Sequence, residues 1–103
     1  MASDRRKALS EILHQIMVNG HVYFQPPESK KIQYPCIIYS ISNGNSQYAD
    51  DQSYIFRKRY MLMLIDTNPD SVYIDEIMKL PLCSFDRGYT ADNLNHYVFN
   101  LFW

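Results

Sequence analysis

The chain has 103 residues, and its 10 lysines and arginines against 11 aspartates and glutamates give a formal net charge of −1. A domain of this length buries about two-thirds of the surface that its unfolded chain exposes, which is enough for one core and too little for two domains. The near-zero charge argues against a nucleic-acid coat and against a binder of anionic membranes, because both carry a strong basic excess. No apolar run approaches the roughly 20 residues that span a bilayer. We therefore expect a single domain, 1–103, with no membrane partner.

Cysteine and histidine are too sparse and too scattered to predict a metal centre. Cys36 and Cys83 lie far apart in the chain, and the histidines at 14, 21 and 96 provide no Cys/His spacing typical of a zinc site. Nothing in the sequence indicates an oxidising compartment, where a disulfide would form. We expect two buried free thiols and no cofactor.

The first half of the chain predicts one helix and two strands. Residues 4–19 carry an apolar stripe at helical spacing, formed by Leu9, Ile12, Leu13, Ile16 and Met17. A short strand at 21–25 ends at two prolines, which cannot continue a hydrogen-bonded ladder. The next strand, 34–42, is apolar on both faces in its first half, so we expect it to be central and covered on both sides.

A polar segment, SNGNSQYADDQS at 42–53, separates this strand from the next. Twelve residues without a core pattern are long for a hairpin connection, and loops of that length are usually functional or disordered. Tyr48, Asp50 and Asp51 stand out in it because they have no core to join. We interpret this segment, called the arm below, as a protruding connection between two strands.

The second half predicts three further elements after a long strand at 54–67, which enters the core at Tyr60. Asn68 is expected to cap a second helix with Pro69 in its first position, and Leu80 before Pro81 is expected to end it. Strands are expected at 82–85 and 94–103, joined by a turn-rich loop at 86–92. A chain end as apolar as Leu-Phe-Trp is expected to lie inside the sheet or against another subunit. The predicted fold is α+β, an antiparallel sheet flanked by two helices in the order α-β-β-β-α-β-β, with a long hairpin arm.

Catalytic groupings in the sequence are weak. Asp75 and Glu76 are adjacent on a helix, so their side chains point about 100° apart and do not form a paired-carboxylate site. A hydrolytic triad can be assembled on paper from Ser84, His96 and Asp92, but no nucleophile elbow supports it. Three glycines provide no phosphate-binding loop. We expect no enzyme.

Two charged clusters favour structural roles. Asp86 and Arg87 are expected to form an ion pair that braces a loop. The basic run at 57–59 lies between Phe56 and Tyr60, which imitates a stacking platform for single-stranded nucleic acid. Charges on an exposed strand also protect it from edge pairing, and this interpretation is favoured.

The remaining features favour an interaction protein. Tyrosine, arginine and tryptophan are enriched at the energetic centres of interfaces, and this chain has nine tyrosines. Contacts that repeat head to tail close into a ring, which is a natural use of an arm and an apolar last strand. We expect inter-subunit or tube contacts at Tyr48, Asp50, Asp51, Tyr54, Leu101, Phe102 and Trp103.

Several segments resemble small proteins of the tail-assembly region of long-tailed phages and prophages, the tail terminator or tail-completion family. They are VYFQPP at 22–27, YPCIIY at 34–39, KRY at 58–60 with IDTNPDS at 65–71, and CSFDRGYTADNLNHYVF at 83–99. The resemblance covers nearly the whole chain, and its most specific part is 83–99.

The resemblance implies a non-enzymatic ring, commonly a hexamer, that caps the finished tail tube in the virion neck after assembly in the host cytoplasm. Its implied partners are copies of itself, the tail tube protein and the head connector. Arg57 and Arg59 are then candidates to face a channel through which DNA passes, where phosphate contacts would be independent of sequence. Head-closure or other head–tail joining proteins are the first alternative, and a stand-alone nucleic-acid-binding module is the second.

Overall fold

A computed structural model describes residues 2–42 and 58–103, with side chains from Arg5 onward. The elements are α1 (Ala2–Ile16), β1 (His21–Phe24), β2 (Cys36–Ile41), β3 (Arg59–Asp66), α2 (Tyr73–Met78), β4 (Cys83–Ala91) and β5 (Leu94–Phe102). The class is α+β, and the predicted order of elements is confirmed. The arm lies outside the described residues except for Ser42. In the described part, neither helix has the length and apolar character that a membrane crossing requires.

The five strands form one mixed sheet in the order β1-β2-β3-β5-β4. All neighbours are antiparallel except β1 and β2, which run parallel from His21 beside Cys36 to Phe24 beside Tyr39. The expectation of a purely antiparallel sheet is therefore wrong at one edge. The prolines after β1 exclude a tight hairpin, and residues 25–35 instead carry the chain back to the end at which β1 began.

One face of the sheet carries the hydrophobic core. Strand alternation places Tyr39, Leu62 and Phe99 on this face, where each is almost fully buried. Both helices pack here. The core cluster consists of Leu9, Leu13, Met17, Ile37, Tyr39, Tyr60, Leu62, Leu64, Ile77, Phe99 and Leu101. Strand β2 lies between β1 and β3, and its first two residues, Cys36 and Ile37, are fully buried on opposite faces. The expectation of a central strand covered on both sides is therefore confirmed for its first half.

Helix α1 begins and ends earlier than the predicted 4–19. It runs from Ala2 to Ile16, and the following turn closes with the Gly20 amide donating to the Met17 carbonyl oxygen at 3.0 Å. A Cβ on Gly20 would lie 2.8 Å from the Pro35 carbonyl oxygen, so only glycine allows the chain to pass this close to the start of β2.

Helix α2 is shorter than predicted, with Tyr73 as its first residue instead of Pro69. The Asp66 and Asn68 side chains accept hydrogen bonds from backbone amides two residues further on, at 3.0 and 2.9 Å. Ser71 Oγ accepts a third such bond from the Tyr73 amide at 3.3 Å. These local bonds satisfy the amides in successive turns and delay the helix.

Strand β4 extends through the residues predicted to be a loop. It runs from Cys83 to Ala91, with a bulge between Phe85 and Arg87, so both the 82–85 strand and the 86–92 loop are corrected. The reversal occurs at Asp92 and Asn93, which have φ values of 53° and 63°. Two consecutive residues with positive φ are typical of the tight turns that join twisted hairpin strands.

Candidate interaction surface

The face of the sheet opposite the helices carries no helix in the described part of the chain. We call it the open face and define it by the half-buried or exposed side chains of Ile38, Met61, Met63, Tyr89 and His96. Adjacent strands bring these side chains together, since Met63 lies beside Ile38 on one side and beside Val98 on the other. Val98, on the same face, is fully buried. The centre of the open face is therefore apolar and close-packed.

Aromatic stacking stiffens one side of the open face. The Tyr89 and His96 rings lie 4.7 Å apart and 8° from parallel. The Tyr89 hydroxyl points toward Met63 Sδ at 3.9 Å, and His96 Nδ1 lies 3.1 Å from the Leu94 carbonyl oxygen. Tyr89 nevertheless remains 41% exposed. The ring pair forms a rigid platform with one accessible side.

The β1 side of this surface is bounded by the connection between β1 and β2. The Gln33 amide donates to the Tyr23 hydroxyl oxygen at 3.1 Å, and Lys30 Nζ lies 5.8 Å from the centre of the Tyr23 ring. These contacts hold the connection beside Tyr23. The accessible part of the open face accordingly extends over β2, β3, β5 and β4.

The charged side chains of the open face lie at its margins and contact neighbouring polar side chains. Arg59 Nη2 donates to Asn100 Oδ1 at 3.3 Å, and its Nε is buried. Arg87 Nη1 lies 2.7 Å from Asp86 Oδ2, which confirms the predicted ion pair but places it at a strand bulge instead of a loop. Apart from the bulge, no described strand position on this face carries an acid. Arg57 lies outside the described residues, and a channel role for Arg57 and Arg59 stays a prediction.

The last strand lies inside the sheet, between β3 and β4. Leu101 is fully buried in the core, so it is removed from the predicted contact residues. Phe102 and Trp103 are half-buried and line a cavity of about 280 Å³ with Arg5, Pro81 and Leu82.

Two contacts hold Trp103 in place. Its indole Nε1 donates to the Arg5 carbonyl oxygen at 2.7 Å, and its backbone exchanges two 2.9 Å bonds with Lys58. The other predicted contact residues lie outside the described part of the chain: Tyr48, Asp50, Asp51 and Tyr54.

The strand register does not bring together Ser84, His96 and Asp92, the hydrolytic triad considered from the sequence. Ser84 lies opposite Asn100, whereas His96 lies opposite Tyr89, so four residues of strand, roughly 13 Å, separate the serine and histidine positions. Asp92 occupies the hairpin turn. Among residues 2–42 and 58–103 no three metal-binding side chains cluster.

The two cysteines are free thiols, as expected, with Cys36 buried and Cys83 only half-buried. Burial, with a smaller effect from the nearby Asp66 charge, raises the pKa of Cys36 to about 12. Burial alone raises the pKa of Cys83 to about 11. Both sites therefore favour the neutral thiol. The stability that the protein gains by burying these thiols in their neutral form is complete below the ordinary thiol pKa near 9. It is lost as the pH rises through the higher pKa values of the folded protein, about 11 and about 12.

We expect slow thiol labelling in the native protein. At pH 8 a maleimide should modify Cys83 before Cys36, and both at least about 100-fold more slowly than in denaturant, because the thiolate is the reactive species. Quenched mass spectrometry with peptide mapping would measure the two rates, with Cys36→Ala separating them. Rapid native labelling of Cys36 would contradict its burial.

Comparison with protein-family models, with curated proteins and with solved structures found no match to this chain.

Proposed function

We propose that this chain is a ring-forming subunit that caps a phage tail tube and forms the tail side of the head–tail junction. The observation that carries the proposal is the sequence resemblance to tail terminator proteins, whose most specific stretch is 83–99. In the fold this stretch forms β4, its bulge, the tight turn and most of β5. The other resembling segments also lie in or directly beside strands. The resemblance therefore concerns one continuous sheet, which supports a shared architecture.

The placement of the strands supports assembly through the sheet. β1 and β4 are the two edge strands, at opposite ends of the strand order, and most of β4 is exposed. Edge strands present unpaired amide and carbonyl groups that can bond to another chain. Because the two edges differ, contact of one edge with the other would repeat head to tail, and such contacts close into rings.

The proposed partners are copies of this chain, the tail tube protein and the head connector. The arm begins at Ser42, whose amide donates to the Arg59 carbonyl oxygen at 2.7 Å, so its first residue is bonded to the start of β3. In the proposal the arm reaches from this point to a neighbouring subunit or to the tube. Arg59 lies at the same end of the sheet, where it would approach DNA that passes through the ring.

Deleting residues 44–51 tests the proposal. The variant should remain folded, because residues 44–51 carry no apolar pattern that would place them in the core. It should complete tails about tenfold less efficiently, which corresponds to a loss of about 1.4 kcal/mol of binding free energy. The readout is complementation of a phage that lacks this chain, with circular dichroism as the check on folding.

A glycine–serine segment of equal length in place of 44–51 serves as the matched control for chain connectivity. It should fail like the deletion, because Tyr48, Asp50 and Asp51 are lost in both. Normal tail completion by either variant would refute the role of the arm. If the phage that lacks this chain makes tails of normal length but fails to close its heads, the head-closure alternative would be favoured.

A further inference from the structure

We propose that the cavity between the start of α1 and the end of β5 binds a small apolar acid, a molecule with one ring or a short aliphatic group and one carboxylate. The inference is independent of the proposed ring, because it concerns a ligand of a single copy. The observation that carries it is the lining of the cavity, in which apolar walls meet one arginine: Arg5, Pro81, Leu82, Phe102 and Trp103.

The walls of this cavity suit a flat apolar group. Phe102 and Trp103 contribute aromatic side chains, and Pro81 and Leu82 contribute aliphatic surface from the connection between α2 and β4. Aromatic rings pack favourably on one another in offset or edge-to-face arrangements. The cavity volume of about 280 Å³ lies just below the range of about 300–1,000 Å³ that is typical of pockets for drug-sized ligands. The ligand should therefore be no larger than one ring with a short chain.

Hydrogen bonds hold the walls of the cavity in place. The Trp103 indole Nε1 donates to the Arg5 carbonyl oxygen at 2.7 Å, and the Phe102 amide donates to the Leu82 carbonyl oxygen at 3.2 Å. These two bonds connect the three segments of the chain that line the cavity. The site is thus formed before a ligand arrives, which lowers the entropy lost on binding.

Leu82 adopts a backbone conformation that leucine rarely takes. Its φ is 57°, in the left-handed region, and its side chain is 39% exposed. The hydrophobic core gains little from a side chain with this exposure. Strained residues persist where the surrounding structure fixes them, and they cluster at ligand sites. Here the strained conformation places an apolar side chain in the wall of the cavity.

Arg5 supplies the cation for the carboxylate. Of the described residues that line the cavity it alone is charged, and it is exposed. Among the described side chains, no carboxylate pairs with Arg5. The next residue, Arg6, is already engaged, since its guanidinium carbon lies 4.6 Å from the centre of the Phe24 ring and its Nη1 lies 3.4 Å from the Tyr39 hydroxyl oxygen. An arginine can bond to both oxygens of a carboxylate, so this side chain selects an acid over a neutral ligand.

The test is a titration of the full-length protein with phenylpropionate and with its neutral analogue phenylpropionamide. The readout is the fluorescence of Trp103, the single tryptophan of the chain. The acid should saturate with a dissociation constant of about 1 mM, as is typical of a ligand this small, and it should shift the emission to shorter wavelength by displacing water from the indole. The amide should bind at least about tenfold more weakly, because hydrogen bonds between charged groups are about twice as strong as neutral ones. Inorganic phosphate should not compete at equal concentration, because it has no apolar group to fill the cavity.

Three variants separate the contributions of charge and apolar surface. Arg5→Gln should weaken binding of the acid by about tenfold and leave the amide within about threefold. Lys7→Gln is the matched control, because it removes the same charge from an exposed position on α1 that does not line the cavity. Leu82→Asn should weaken both ligands, since asparagine tolerates positive φ but replaces an apolar wall with an amide. Circular dichroism checks that each variant is folded.

A second measurement uses the unmodified protein. Trp103 gives the single indole N–H signal in a nitrogen–proton correlation spectrum, and this N–H is the one that donates to the Arg5 carbonyl oxygen. The acid should shift this signal progressively, with the dissociation constant found by fluorescence. The amide signals of Asp92 and Asn93, in the turn at the other end of β5, should stay unchanged.

Any of four results would overturn the inference. They are an indole signal that the acid does not move, equal affinity for acid and amide, an Arg5→Gln variant that binds the acid as the Lys7→Gln variant does, and competition by phosphate at equal concentration, which would indicate a plain anion site. The tail-completion assay is a separate experiment, so failure of the ring proposal leaves this inference standing and the converse also holds.

Discussion

Phe99→Ala is expected to lower the free energy of unfolding by about 4 kcal/mol, the loss typical of truncating a buried phenylalanine. Phe99 is fully buried at the centre of the sheet, opposite Leu62 on β3 and Phe85 on β4. Its ring meets the Phe85 ring edge to face, with centres 5.5 Å apart. Alanine would leave a cavity between the sheet and the helices. Chemical denaturation monitored by circular dichroism would measure the change.

Phe99→Leu is the matched control, because it retains most of the apolar volume and should cost no more than about 1.5 kcal/mol. The alanine variant should also remain sensitive to protease at temperatures where the leucine variant is resistant. A loss below about 1 kcal/mol for Phe99→Ala would mean that this ring is not at the centre of the core.

Leu13→Ala is expected to cost about 3 kcal/mol and to test whether α1 is an integral part of the domain. Leu13 is fully buried against the sheet. The same helix is held by Arg6, whose guanidinium carbon lies 4.6 Å from the centre of the Phe24 ring, and by the bond from Trp103 to Arg5. Denaturation followed at the same time by Trp103 fluorescence and by circular dichroism should show one shared transition.

Val18→Ala controls for a general effect of shortening an aliphatic side chain near the end of this helix. Val18 is 73% exposed, and its truncation should change stability by less than about 0.5 kcal/mol. If Leu13→Ala were equally mild, or if the helix signal melted before the sheet signal, α1 would be an independent appendage.

The core of this protein could be predicted from periodicity alone. The stripe of α1 that includes Leu9 and Leu13 is buried, and the strand predicted at 54–67 enters the core at Tyr60, as expected. Burial of apolar surface dominates these elements, and it acts through the same side-chain spacing that a reader sees in the sequence.

The corrected elements are those in which local polar bonds or pairing partners decide the structure. Side chains that bond to nearby amides shorten α2, which a cap-and-proline pattern at Asn68 and Pro69 does not reveal. Residues 86–91 are polar and contain glycine, yet they form a strand because β5 supplies the hydrogen-bonding partner. The residue pair Asp92 and Asn93 could have predicted the tight turn, since these residue types tolerate positive φ.

The α+β class, the order of the elements and most of the core follow from the pattern of amino acids. Three features follow only from the packing of the elements: both helices lie on one face, β1 is parallel to β2, and Ile38, Met61 and Met63 gather on the other face. The reason is that alternation assigns a residue to one of two faces but does not state what covers each face. That depends on where the connections carry the helices, and here they carry both helices to the same face.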